Sequence, residues 1–222
     1  ALFSRFGQIQ GWRHEEIAFF YGLISITFAF ADSLARGFDV FANMVKLGEF
    51  DRLLLRPRST VLQLFGQELT LRRLGRLTQA AVVMAYAVSM LEMAWSVERI
   101  SLAVMAVAGG MCLFIGLVIL EATSAFWTTE GLEAWNAFTY GGVTMSQYPM
   151  AIYRPWFRRF FTFVIPLACI NYFPGIAILG RPDPLGTPLP LLWLSPLAGP
   201  LFLFMALQIW KVGVRHYQST GS

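Results

Sequence analysis

Few residues in this chain have the type and spacing for chemistry. His14 and His216 stand at opposite ends, so a histidine-based metal or catalytic centre has almost no material. Cys112 and Cys169 both fall inside apolar runs and read as small hydrophobes, implying neither a disulfide frame nor a metal site. No paired-aspartate motif is visible, and an intramembrane enzyme acting on lipids would need clustered acid/base groups that the chain lacks. No GxxxxGK[ST] loop occurs either, so the chain carries no phosphate cradle of its own. What remains inside the apolar runs is Glu121, and Asn171 between Pro166 and Pro174. Ionisable residues within a membrane span are functional candidates by default. Glu121 and Asn171 are therefore the candidate pathway-lining residues. Glu121 faces either a cavity or a solvated boundary, while Asn171 reads better as a partner for the backbone of a broken helix. Asp32 and Glu92 lie near span ends and read as interfacial.

A second kind of chemistry, recognition of a partner, lies in GEFDRLLLRPRS, residues 48–59. Upstream, Val40, Met44 and Leu47 follow a helical period, with Phe41 and Val45 alongside. Helix through Asp51–Leu55 should stop near Arg56, because Pro57 disfavours helix in the residue before it. Ser59 then suits an N-cap for a second helix from Thr60 to about Gly75. The expected object is a short amphipathic helix, a sharp turn and a helix leading back into an apolar run. On pattern alone it either binds lipid headgroups or docks a protein.

These residues must be positioned by membrane helices. Of 222 residues, 56% are hydrophobic and 14% charged, against about 25% charged in ordinary soluble domains. A hydrocarbon core of about 30 Å takes about 20 apolar residues per helix. Five such runs can be marked, at 17–35, 78–97, 100–129, 160–180 and 189–210. Open backbone cannot sit in lipid, so the fold class is all-α, a polytopic helical membrane protein in one transmembrane domain over 1–222. The third run is long for a simple crossing, and the fourth should be kinked or broken by its prolines. Gly109, Gly110 and Gly116 make a small-residue face suited to helix packing. In the opening ALFSRFGQ, Ala1 to Phe3 read as the tail of an earlier span, which would make six.

Basic residues set the orientation. Segments 36–77 and 130–159 and the C-terminal tail hold 13 of the 17. The positive-inside rule places all three in the cytoplasm. The 36–77 loop then holds the amphipathic helix. The 130–159 segment, with Trp135, Tyr153 and Trp156 interleaved with Arg154, Arg158 and Arg159, is expected to be a cytoplasmic interface segment touching membrane lipid rather than a substrate gate. The net charge of +4 is explained by this bias, so nucleic acid is not an expected partner.

KLGEFDRLLLRPRSTVLQLFGQ resembles the cytoplasmic loop of permeases of the ABC type-two exporter class. The matching residues are Gly48, Glu49, Asp51, Leu53, Leu54, Pro57 and Ser59. AFWTTEGLEAWNAFTYGG, MSQYPMAIYRPWFRRFFTFVIPLA and the ending RHYQSTGS resemble one branch of that class, six-span permeases described mainly by sequence. The likeness runs over nearly all 222 residues. It implies a non-catalytic permease subunit of an ATP-driven exporter in a bacterial inner (plasma) membrane, working as a dimer with an identical or related second permease chain. It further implies two separate ABC ATPase subunits, which hold the ATP and Mg; no cofactor is expected on this chain. Residues 48–59 would be the coupling helix. Glu49, Asp51, Arg52 and Arg56 would provide charged contacts, Leu53 and Leu54 would enter an apolar cleft, and Gly48 and Pro57 would shape its ends. The apolar, aromatic walls point to a lipid, a drug-like molecule or another amphipathic cargo. An intramembrane lipid-modifying enzyme and a non-transporting scaffold are the alternatives.

Overall fold

The computed structural model describes residues 8–9, 11–66, 74–128, 132–183 and 186–217. The strands Gln8–Ile9 (β1) and Trp12–Arg13 (β2) form a small antiparallel hairpin. Otherwise the described residues build helices and turns, so the chain is an all-α polytopic membrane protein. Helix α1 runs His14–Leu34, followed by the short α2 (Arg36–Asp39), α3 (Phe41–Lys46), α4 (Phe50–Leu54) and α5 (Thr60–Phe65). Then come α6 (Leu74–Met90), α7 (Val97–Ser124), α8 (Leu132–Ser146), α9 (Pro155–Phe163), α10 (Phe173–Leu179), α11 (Leu189–Leu194) and α12 (Ala198–His216).

Among the described residues, three stretches are long and apolar enough to cross a membrane: His14–Leu34, Val97–Ser124 and Leu189–His216. A fourth exists if Pro155–Phe163 and Ala168–Leu179, which meet at 84°, count as one broken span. That bend is the break expected in 160–180. It falls at Pro166, which has no N–H to continue the ladder; beyond Leu167, the five residues Ala168–Tyr172 form a π-helical turn. Pro174 sits harmlessly in the first turn of α10. The expected run 78–97 ends early. Helix α6 stops at Met90, and Ser96 caps α7 by accepting a bond from the Arg99 backbone N–H at 3.3 Å, so residues 91–96 are a turn.

Two contacts organise the bundle: α7 against α12, and α1 against α6, with α7 also touching α1. The α7–α12 approach depends on small residues. A Cβ on Gly109 would strike the Pro196 carbonyl, and one on Gly199 the Gly109 carbonyl. The small-residue face of the sequence is thus a packing face.

The 130–159 segment differs from expectation. Rather than lying along the membrane surface, α8 enters the bundle between α1 and α7: Tyr140 meets Phe28 with ring centroids 5.5 Å apart. Buried Asn171 donates to the Ser146 carbonyl at 2.5 Å and so fixes the inner end of α8 to the π-helical turn. Helix α8 thereby carries the chain away from the 36–66 loop. Arg158 and Arg159 end up around a cavity of about 320 Å³ shared with Phe173 and Thr187. They lie in the half of the molecule where Arg181 pairs with Glu16 at the start of α1. Arg158 and Arg159 therefore stand with the connection after α10 rather than with the 36–66 loop.

Candidate coupling surface and intramembrane cavity

The turn into α4 starts at Gly48, whose φ of +69° is a left-handed conformation that a side chain would strain. It lets the Glu49 N–H reach the Met44 carbonyl at 2.9 Å, closing α3 and reversing the chain. Leu47, expected on the apolar face, is instead 68% exposed, because the helical phase ends at Lys46.

Helix α4 has two faces. Phe50 is fully buried and Leu53 is 4% exposed, whereas Leu54 is 42% and Leu55 85% exposed. Arg52, Arg56, Pro57 and Glu49 are exposed, and Asp51 is half-buried. Leu53 therefore has no apolar surface to offer a partner; the outward pair is Leu54–Leu55. Sequence reading turned Leu53 outward beside Leu54, since a helix of five residues is too short for periodicity to fix its phase. Gln63 clamps the following turn, its side-chain amide donating to the Leu53 carbonyl at 3.1 Å and to the Arg58 carbonyl at 3.0 Å. Ser59 takes the N-cap position of α5, but its hydroxyl makes no capping bond. The expected continuation of that helix through 67–73 lies outside the described residues. An open groove of about 810 Å³ runs along Arg56, Pro57, Ser59, Leu62 and Gly66.

The buried face of α4 is joined to the bundle through aromatic rings. Phe50 meets Phe41 at 5.0 Å, Phe126 at 5.5 Å and Tyr217 at 5.0 Å. Trp210 of α12 packs on Phe41 at 4.9 Å and Phe126 at 5.4 Å. Displacement of α4 must therefore move the ends of α7 and α12, since close-packed interiors transmit strain. Burial first, and the neighbouring Asp51 carboxylate second, push the Tyr217 phenol above its ordinary pKa.

Glu121 opens onto a cavity of about 260 Å³ between α1, α2, α7 and α8. Asp32, expected to be interfacial, is buried there with its carboxylate 3.5 Å from Arg76. Asp39 lines the same cavity, paired with Arg36 at 2.9 Å. Asn171, in contrast, is 2% exposed and does not line this cavity; it donates to the Ser146 carbonyl of α8 rather than to the backbone of its own broken helix.

A lock that sequence reading missed closes the other end. The Arg181 Nε and Nη2 donate to the two Glu16 carboxylate oxygens, both at 2.8 Å, while Glu16 also accepts from the Arg13 backbone N–H at 2.9 Å. Arg181 also stacks over Trp12 at 5.4 Å. The partners are 165 residues apart, and nothing local in the sequence marks them as a pair.

Residues 1–221 match the family model described as ABC-2 family transporter protein. The chain belongs to that family. No curated protein and no solved structure matches it in the same comparisons. As an ABC-2 family transporter protein it is a multi-pass membrane permease component of an ABC transporter, a transport part of a machine whose ATPase activity generally belongs to partner subunits. In this permease the α2–α5 loop and the Glu121 cavity are adjoining features: Arg36 and Asp39 open the loop and line the cavity.

Proposed function

We propose that this permease is the membrane-spanning subunit of an ATP-driven exporter. It pairs with an identical or related permease chain to enclose a pathway. Two separate ATPase subunits, holding ATP and Mg, dock on Glu49–Pro57. In this reading the loop end and the C-terminus face the cytoplasm of a bacterial inner membrane, and the cargo is a lipid, drug-like or other amphipathic molecule.

The observation that carries the reading is the two-sided character of α4. Its outer face presents Leu54, Leu55, Arg52 and Arg56, and its inner face is set by Phe50 into rings of α3, of the turn that follows α7 and of α12. A partner that grips the outer face can bias the helices behind it, which is the physical requirement for coupling.

The test is co-purification of a separately encoded ATPase with this chain, followed by ATPase activity in vesicles. Leu54→Asp is expected to abolish both assembly and chain-dependent ATPase activity. Unchanged assembly and activity would remove the coupling assignment.

A further inference from the structure

The cavity at Glu121 has an unpaired carboxylate and a hydrogen-bond deficit that together specify a ligand. Three carboxylates line it. Asp39 is matched by Arg36 at 2.9 Å, and Asp32 faces Arg76 at 3.5 Å. Among the described residues the Glu121 side chain has neither an ion-pair nor a hydrogen-bond partner. Independently, the Thr139 hydroxyl of α8, on a residue 2% exposed that lines this cavity, finds no hydrogen-bond partner. A buried hydroxyl left unsatisfied costs about 1–3 kcal/mol, so a bound group that engages it recovers that loss. The third element is an apolar wall: Phe28 lies between Phe114 and Tyr140, with centroids 5.2 and 5.5 Å away.

An unpaired carboxylate, an unmet hydroxyl oxygen and aromatic walls suit a cation that donates hydrogen bonds and carries a short hydrocarbon stem. A metal ion fits less well, since among the described residues no three metal-capable side chains converge closely enough to hold one. We infer that this cavity binds a primary alkylammonium group, with Glu121 as counter-ion and Thr139 Oγ1 as acceptor. Resting on the permease reading, the same group is the head of the cargo, and a free amine and the amine of a lipid headgroup share that chemistry.

The experiment uses the chain in nanodiscs of zwitterionic lipid without amine headgroups, titrated calorimetrically with butylammonium, 1-pentanol and tetramethylammonium. Butylammonium is expected to bind saturably, at least about tenfold tighter than the neutral alcohol, which carries one more carbon, or the quaternary cation, which cannot donate hydrogen bonds. Glu121→Gln should weaken butylammonium about tenfold or more, and Thr139→Val about fivefold. Absence of saturable butylammonium binding, or equal binding of pentanol or tetramethylammonium, overturns the site. The ligand series on the unaltered chain decides the matter even if a variant does not fold. Repeating the titration in nanodiscs that contain an amine-headgroup lipid separates the sources: lost butylammonium binding assigns the site to the lipid, retained binding to a free amine. Because no ATPase is present, failure here leaves the exporter reading intact. An intact site on a chain that recruits no ATPase would sink that reading instead.

Discussion

The Trp210 indole N–H donates to Thr60 Oγ1 at 3.1 Å, joining the last turns of α12 to the first residue of the helix that follows the α4 turn. Trp210 is also buried among Phe38, Phe41 and Phe126, so one side chain ties both ends of the loop to the bundle.

Trp210→Phe keeps an aromatic ring but strands the Thr60 hydroxyl, at a cost of about 1 kcal/mol. Trp210→Ala removes the ring as well and should cost about 3–5 kcal/mol. Denaturant unfolding in detergent micelles, followed by fluorescence of the other tryptophans, measures both. If the exporter reading holds, Trp210→Phe also lowers the coupling of ATPase activity to the permease while leaving assembly intact.

The two faces of α4 predict opposite phenotypes for neighbouring residues. Leu53→Asp places a carboxylate in the buried cluster and should destabilise the fold by several kcal/mol. Leu55→Asp, at 85% exposure, should leave stability within about 0.5 kcal/mol while weakening ATPase recruitment. Size-exclusion profiles and melting curves separate loss of fold from loss of partner.

The Glu16–Arg181 pair holds the start of α1 to the connection after α10. Arg181→Ala leaves a buried carboxylate without its partner and should cost about 2 kcal/mol, below the usual figure for a fully buried pair because the arginine is partly exposed. Arg181→Lys recovers only part of this, since an ammonium cannot bond both oxygens in the guanidinium geometry. The bond to Glu16 raises the Arg181 pKa. A raised folded-state value gives stability that is complete below the unfolded pKa and lost only as pH rises above it. For arginine that is beyond ordinary buffers, so the Arg181→Ala deficit should be constant in melting temperatures taken from pH 7 to 9.

Tyr217 makes a pH effect accessible. Its phenol is raised by burial and then by Asp51, so the folded state favours the protonated form. Its contribution is fully present below the unfolded tyrosine value near pH 10 and declines as pH rises through the higher folded value. Tyr217→Phe should flatten the part of the alkaline stability loss that Tyr217 supplies. Melting temperatures at pH 8, 9.5 and 11 for both proteins provide the measurement, and identical slopes would show that Tyr217 contributes nothing.

How far the sequence carried depended on whether a feature was local. The all-α membrane architecture followed from apolar runs, and the break near Pro166 followed from proline chemistry. The turn at Gly48 coincides with a motif glycine. Register on a five-residue helix did not follow, so Leu53 faces the bundle instead of a partner. Helix α8 was hidden because Trp135, Tyr140 and Tyr148 look like headgroup-zone aromatics, whereas Tyr140 packs on Phe28 inside the bundle. The meeting of Asp32, Asp39, Glu121 and Thr139 was also beyond reach, because four separate helices supply them.

Glycine contrasts test the α7–α12 seam most directly. At Gly199 an added Cβ would run into the Gly109 backbone carbonyl, an atom that cannot rotate aside, so the helices must separate. Gly199→Ala should therefore cost about 1–3 kcal/mol, the usual penalty of overpacking, despite alanine's better helix propensity. At Gly141 in α8 an added Cβ meets nothing within 4 Å. Gly141→Ala should then be neutral or stabilise by up to about 1 kcal/mol, because only the propensity gain remains. Paired unfolding curves decide the matter. If Gly199→Ala proves as benign as Gly141→Ala, the close seam does not hold α7 and α12 together, and the route from α4 through Trp210 into the bundle loses its rigid backing.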